Sequence, residues 1–138
     1  MADAVHICLA DYANPVHANA LVAVLDAYAC DPMGGGEGLS DFAKANVVAA
    51  LAARPQAYSV LAFADSSQSQ AVGLVNCIEG YSTFKARPLM NIHDIAVLPG
   101  HRGQGVGRAL LQAAQTHAKD KGCCKLTLEV LTGNAPPL

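Results

Sequence analysis

The stretch NIHDIAVLPGHRGQGVGRALL, residues 91–111, decides the fold. It reads as an apolar strand, a turn at Pro99-Gly100, a glycine-rich loop and the opening of a helix. The loop His101-Arg102-Gly103-Gln104-Gly105-Val106-Gly107 has glycine at 103, 105 and 107. Glycine carries no Cβ, so a ligand can come close to the backbone there. Arg108, Ala109, Leu110 and Leu111 are good helix formers. The bare N–H groups of a helix N-terminus therefore face the loop, and such a terminus attracts anions, phosphate above all.

Three glycine patterns compete for this loop. The P-loop requires Lys-Ser/Thr after its second glycine region, but Val106 and Gly107 stand after Gly105. The dinucleotide fingerprint counted from Gly103 and Gly105 needs a third glycine where Arg108 stands. It also needs an acidic residue at the end of a second strand, whereas Glu129 lies inside the next strand. The third pattern, Arg/Gln-x-x-Gly-x-Gly/Ala after a strand, fits at Arg102, Gly105 and Gly107.

With these residues, and with Asp94-Ile95-Ala96-Val97-Leu98-Pro99 reading as the family's fourth strand, the sequence resembles the GNAT acyltransferase superfamily. That family uses the loop for the pyrophosphate of acetyl-CoA. A helix-start loop without a ligand is the alternative, and the backbone entropy of three glycines weighs against it.

The chain has 138 residues, which suits one domain spanning 1–138. It is 52% hydrophobic and 14% charged, enough apolar material for a core and unlike a disordered chain. The formal charge of −2 gives no basic footprint for nucleic acid. No apolar run is long enough to cross a membrane, and no signal peptide is visible. Five scattered cysteines, 8, 30, 77, 123 and 124, argue against a disulfide framework or a zinc site, and a cytoplasmic protein without a metal is expected.

In chain order, residues 4–9 (AVHICL) read as a strand and Asn14-Pro15 as a helix start. Leu21, Val24, Leu25 and Tyr28 recur at helical spacing to about Cys30. Residues 31–38 (DPMGGGEG) form a loop, and Ser40 caps a second helix built on Phe42, Val47, Val48 and Leu51. Strands follow at 58–64 and 71–78, joined by a polar turn; residues 79–87 either continue the second of these or loop over the site. The strand at 89–97 precedes the glycine loop, and the helix after Gly107 runs to about Lys121, stopped at Gly122. Cys124, Leu126, Leu128 and Val130 alternate with polar residues as a fifth strand. The order β-α-α-β-β-β-α-β is that of the GNAT fold. The resemblance implies an α+β (α/β) architecture: a mixed, mostly antiparallel central sheet with helices on both faces.

After that strand come residues 132–138, TGNAPPL. In the family, an Asn here opens a further helix whose tyrosine often protonates the leaving thiolate. Asn134 matches, but Pro136 and Pro137 block a helix. The chain is therefore expected to lack the family's last helix and strand, leaving the fifth strand as an exposed edge. A second copy pairing there, giving a homodimer, is the expectation.

The resemblance implies an N-acetyltransferase moving acetyl from acetyl-CoA to a primary amine of a small molecule. A catalytically silent CoA-binding module is the second reading. Cofactor contacts would come from Ile95, Ala96 and Val97 on the strand, from Arg102, Gly103, Gln104, Gly105, Val106, Gly107 and Arg108 at the loop, and from Asn134. The candidate base is His93, at the position where polyamine-type relatives commonly carry Glu. By period two, His93, Ile95 and Val97 share one face, with Ile92 and Asp94 on the other. Asp94 is the alternative base, and a structural histidine is an alternative for His93. Tyr28, Glu79 and Tyr81 are candidate substrate residues, because aromatic and acidic groups suit an amine.

Overall fold

The computed structural model describes residues 5–32 and 36–128. Strand β1 (His6–Leu9) leads into helix α1 (Pro15–Cys30). Asn14 Oδ1 accepts the Val16 N–H at 2.9 Å and Pro15 stands at the helix start, so the cap and the fixed proline φ nucleate α1 where the sequence predicts. Helix α2 (Asp41–Ala52) is capped by Ser40 Oγ on the Ala43 N–H. Strands β2 (Ala57–Phe63), β3 (Ala71–Ser82) and β4 (Arg87–Val97) follow as two hairpins. Helix α3 (Val106–Asp120) then crosses back to β5 (Leu126–Leu128).

The sheet order is β1-β2-β3-β4-β5. The first three pairings are antiparallel and β5 lies parallel to β4, as the α3 crossover requires. One face carries α3, whose Val106, Leu110, Ala114 and Ala118 pack on Val60, Val75, Cys77, Met90 and Ile92. The other carries α1 and α2, with Leu21 and Val24 on Leu61, Phe63 and Leu74. The expected two-faced, mostly antiparallel architecture is therefore present.

Of the two readings of residues 79–87, continuation of β3 holds for 79–82, because Glu79–Met90 through Ser82–Arg87 stay in register. One local expectation changes. Phe42 does not join the α2 core stripe: it is 77% exposed, while Val47, Val48 and Leu51 do pack. All five cysteines are free.

Among the described residues, Asn91 Oδ1 is the one buried side-chain nitrogen or oxygen without a hydrogen-bond partner. His17, on α1, accepts the Asp11 N–H at Nδ1 and donates from Nε2 to Gln68 Oε1, which ties the β1–α1 turn to the β2–β3 hairpin. The Tyr58 hydroxyl donates to the Ala114 carbonyl at 2.9 Å, pinning β2 to the middle of α3.

Candidate functional site

The glycine loop folds by two different uses of glycine. Gly103 and Gly105 adopt φ of 79° and 82°, the left-handed region that side chains resist. A Cβ at either would meet nothing within 4 Å, so both open onto free space. Gly107 lies inside α3 instead, because the helix starts at Val106, earlier than the sequence predicts. A Cβ on Gly107 would lie 3.8 Å from Val97 Cγ2. The first helical bond runs from the Ala109 N–H to the Gly105 carbonyl at 3.0 Å. The N–H groups of Val106, Gly107 and Arg108 consequently have no acceptor within the helix.

Gly73 on β3 sets where this terminus sits. A Cβ there would come 2.9 Å from Leu110 Cδ1 and 3.2 Å from both Val106 Cγ1 and the Ala96 carbonyl. Its absence lets the first turns of α3 press onto the sheet. The result is an open depression of about 450 Å³ in front of the helix end. Val97, Arg102, Gly103, Gly105, Val106, Gly107 and Arg108 line it together, as the sequence predicts, and so does His101, which sequence reasoning passed over.

Beside this depression runs the far edge of β4. The Leu98 N–H bonds to the Val72 carbonyl at 2.9 Å. By the antiparallel alternation, Ala96 and Asp94 also exchange bonds with β3, and the backbone groups of Ile95 and Val97 point the opposite way. Described pairing with β5 ends at Ile92–Leu128. The Val97 carbonyl already accepts from Arg102 Nε at 2.9 Å, which narrows what Val97 can offer a ligand. Arg102 also bonds through Nη2 to Asp31 Oδ2 at 3.1 Å. Its guanidinium thus ties the end of β4 to the C-cap of α1.

A β-bulge corrects the predicted faces of β4. Asn76 pairs with Asp94 and Cys77 with Ile92, so His93 is the extra residue. The alternation shifts by one across it. Ile92, Ile95 and Val97 all lie on the α3 face, and Asp94 and Ala96 on the α1 face. His93 does not share a regular face with Ile95: it sits exposed on the bulge. Strict period two fails here because a bulge sets two residues of one strand opposite one of the other.

Asp94 is held by a row of polar groups across the sheet. Asn76 Nδ2 donates to Asp94 Oδ2 at 3.1 Å. Ser59 Oγ donates to Asn76 Oδ1 at 2.6 Å, and Tyr12 and Ser59 share a 2.8 Å hydroxyl contact. Ser59 is fully buried and Asn76 nearly so. Burial pushes the Tyr12 hydroxyl above its ordinary pKa, and its bond to Ser59 partly opposes that. On the opposite face, burial lifts the Cys77 thiol to about 11.

The remaining candidates separate. Half-buried Tyr28 lines a crevice with Ala96, Val97 and Arg102, so it does reach the end of β4. Glu79 faces the α3 side, because it pairs with Met90 of that core. There its carboxylate, after burial, raises the Cys123 thiol. It is on the wrong face to act beside Asp94. Tyr81 pairs with Pro88, roughly 30 Å from Val97 at about 3.4 Å per residue, and is 62% exposed. The hairpin continuing past residue 78 carries both away from the loop. Asn134 lies outside the described residues. Among the described residues no cluster of His, Cys, Asp and Glu could hold a metal ion.

The acetyltransferase (GNAT) family profile matches residues 21–136. The chain belongs to the GNAT family. It is similar to the streptothricin acetyltransferase of Streptomyces lavendulae, 41% identical over 80 residues, which are 54% of this chain and 41% of that enzyme. It is also similar to the thialysine N-epsilon-acetyltransferase of Bos taurus, 44% identical over 54 residues, or 39% of this chain and 31% of the relative. The matched stretches thus span less than half of either relative. Among solved structures, AAC(6')-Iy in complex with the bisubstrate analog CoA-S-monomethyl-acetylneamine superposes with a TM-score of 0.74 at 21% identity, covering 96% of this chain and 83% of that one. The GNAT fold is therefore established for this chain both by sequence and by shape.

Proposed function

We propose that the chain is an acetyl-CoA-dependent N-acetyltransferase acting on a primary amine of a small molecule. The observation that carries this reading is the pairing of two features: the open helix end at Gly103–Gly107, and the adjacent edge of β4 where Ile95 and Val97 turn their backbone groups outward. The relatives acetylate streptothricin and thialysine by name, and a structural neighbour holds a CoA-derived bisubstrate.

The residues present suit acetyl-CoA. Positions 103 and 105 have the free space a diphosphate needs, and a Cβ at either would enter it. The N–H groups of Val106, Gly107 and Arg108 would take phosphate oxygens, with exposed Arg108 adding charge at the rim. Ile95 and Val97 would bond pantetheine amides as a neighbouring strand does, Ala96 would pack against α1, and Gln104 would complete the loop. Bound there, acetyl-CoA supplies an activated acyl carbon and a good leaving group.

The chain must then present a neutral amine. Asp94, half-buried and held by Asn76, attracts the ammonium form, and Tyr28 closes the nearby wall. His93, exposed on the bulge beside Asp94, would take the proton directly or through one water. The amine nitrogen bonds to the acyl carbon as the C–S bond breaks. N–H donors aimed at the developing oxyanion contribute roughly 3 kcal/mol each.

Calorimetric binding of acetyl-CoA, followed by thiol release with a panel of small amines, tests this. Binding with turnover, lost in Asp94→Asn or His93→Ala, supports it. Binding without turnover on any amine moves the reading to a silent CoA-binding module, and no binding removes the loop assignment.

A further inference from the structure

A polar row crosses the apolar cluster on the α1 face of the sheet: Ser59 on β2, Asn76 on β3 and Asp94 on β4, with Tyr12 at its end. Burying two polar side chains among Leu61, Phe63 and Leu74 costs free energy that valine or alanine would avoid. The row also has one direction. A carboxylate only accepts, so Asn76 must present its NH₂ to Asp94 and its carbonyl oxygen to Ser59. Ser59 then spends its proton on Asn76 and accepts from the Tyr12 hydroxyl. Every donor points toward Asp94, each bond strengthens the next, and the Asn76 amide cannot flip without breaking two of them.

We propose that Tyr12, Ser59 and Asn76 are positioning residues: a buried donor chain that fixes the Asp94 carboxylate for the acceptor amine. The inference rests on the amine-acetyltransferase reading given above. Tyr12 enters from the β1–α1 connection, which is held by its own bonds: the Asp11 N–H to His17 Nδ1, and the Asn14 N–H to the Asp11 carbonyl. The orientation of Asp94 is thereby set by a segment remote in sequence from the glycine loop.

The test uses Ser59→Ala and Tyr12→Phe, which remove one oxygen each and spare the fold, with Asn76→Leu as the stronger change. Ser59→Ala is expected to lower kcat/KM for the amine about fivefold to tenfold, and Tyr12→Phe by less, while the KM for acetyl-CoA stays at the wild-type value. In an Asp94→Asn background the same changes are expected to have no further effect, since they act through that carboxylate. Independently of turnover, the Asn76 side-chain amide resonances, assigned by their loss in Asn76→Leu, are expected to move in both Ser59→Ala and Asp94→Asn. Wild-type kinetics in Ser59→Ala and Asn76→Leu, full additivity with Asp94→Asn, or unmoved Asn76 resonances overturn the chain. If Asp94→Asn itself turns over like wild type, it is the catalytic assignment of Asp94 that fails, and the positioning role falls with it.

Discussion

At the residue scale, Gly105 joins a folding role to the proposed anion site. Its φ of 82° makes it the N-cap of α3, and its open side faces the depression. Gly105→Glu would incur about 1–2 kcal/mol of left-handed strain. A negative charge at the helix start would return about 0.3–1 kcal/mol of that, so the fold should hold. The carboxylate would then occupy the anion position, and acetyl-CoA affinity is expected to fall at least about tenfold by calorimetry, or ~1.4 kcal/mol. Gly105→Asn, which tolerates this φ and carries no charge, is expected to bind far closer to wild type. Equal losses in both variants would trace the effect to backbone strain and not to an anion site.

At the element scale, the seat of α3 on β3 is decided at Gly73. The space a side chain would need is already filled by Leu110, Val106 and the Ala96 carbonyl. Gly73→Val should destabilise the protein by about 1–3 kcal/mol through overpacking, seen as a lowered urea midpoint. It should also weaken acetyl-CoA binding in the fraction that remains folded, because lifting α3 moves the N–H groups of its first turn. A variant with lowered stability and wild-type affinity would show that the helix end is placed by other contacts. The bulge at His93 works at the same scale: it lets Ile92 and Ile95 both face α3 while turning Asp94 to the opposite side.

At the scale of the whole molecule, stability should depend on pH through the α3–β2 contact. The His117 ring lies edge-on to Tyr58, centroids 4.1 Å apart. Burial, helped by the nearby Lys121 charge, holds His117 below the ordinary 6.5. The unfolded chain therefore binds the proton more readily, and stability present above pH 6.5 is lost as pH falls through the folded value. Tm is expected to decline from pH 7 to 5, with His117→Gln flattening that part of the curve; an unchanged curve would assign it elsewhere. Asp65, also held low, by its bonds to Ser67, acts in a lower window, losing its contribution only below about 3.8. We also propose that a second copy pairs along β5, whose Leu128 is 56% exposed. Sedimentation at micromolar concentration is expected to give a dimer, dissociated by Thr127→Pro; a monomeric wild type would refute it.

The sequence by itself determined the strand–loop–helix at residues 91–111, the start of α1 at Asn14-Pro15 and the element order, because these are local matters of cap chemistry, glycine spacing and periodicity. The left-handed turns of the glycine loop were legible for the same reason. Only the tertiary structure decided the rest. The bulge at His93 exists because β3 and β4 pair out of phase there, and no periodicity within one strand reports that. The Arg102–Asp31 tie and the Tyr12–Ser59–Asn76–Asp94 row join residues far apart in the chain, and no local pattern in the sequence reports those contacts. Glu79 and Tyr81 looked near the site in sequence because their strand is adjacent, yet an antiparallel hairpin carries its turn away from the loop at the far end of β4.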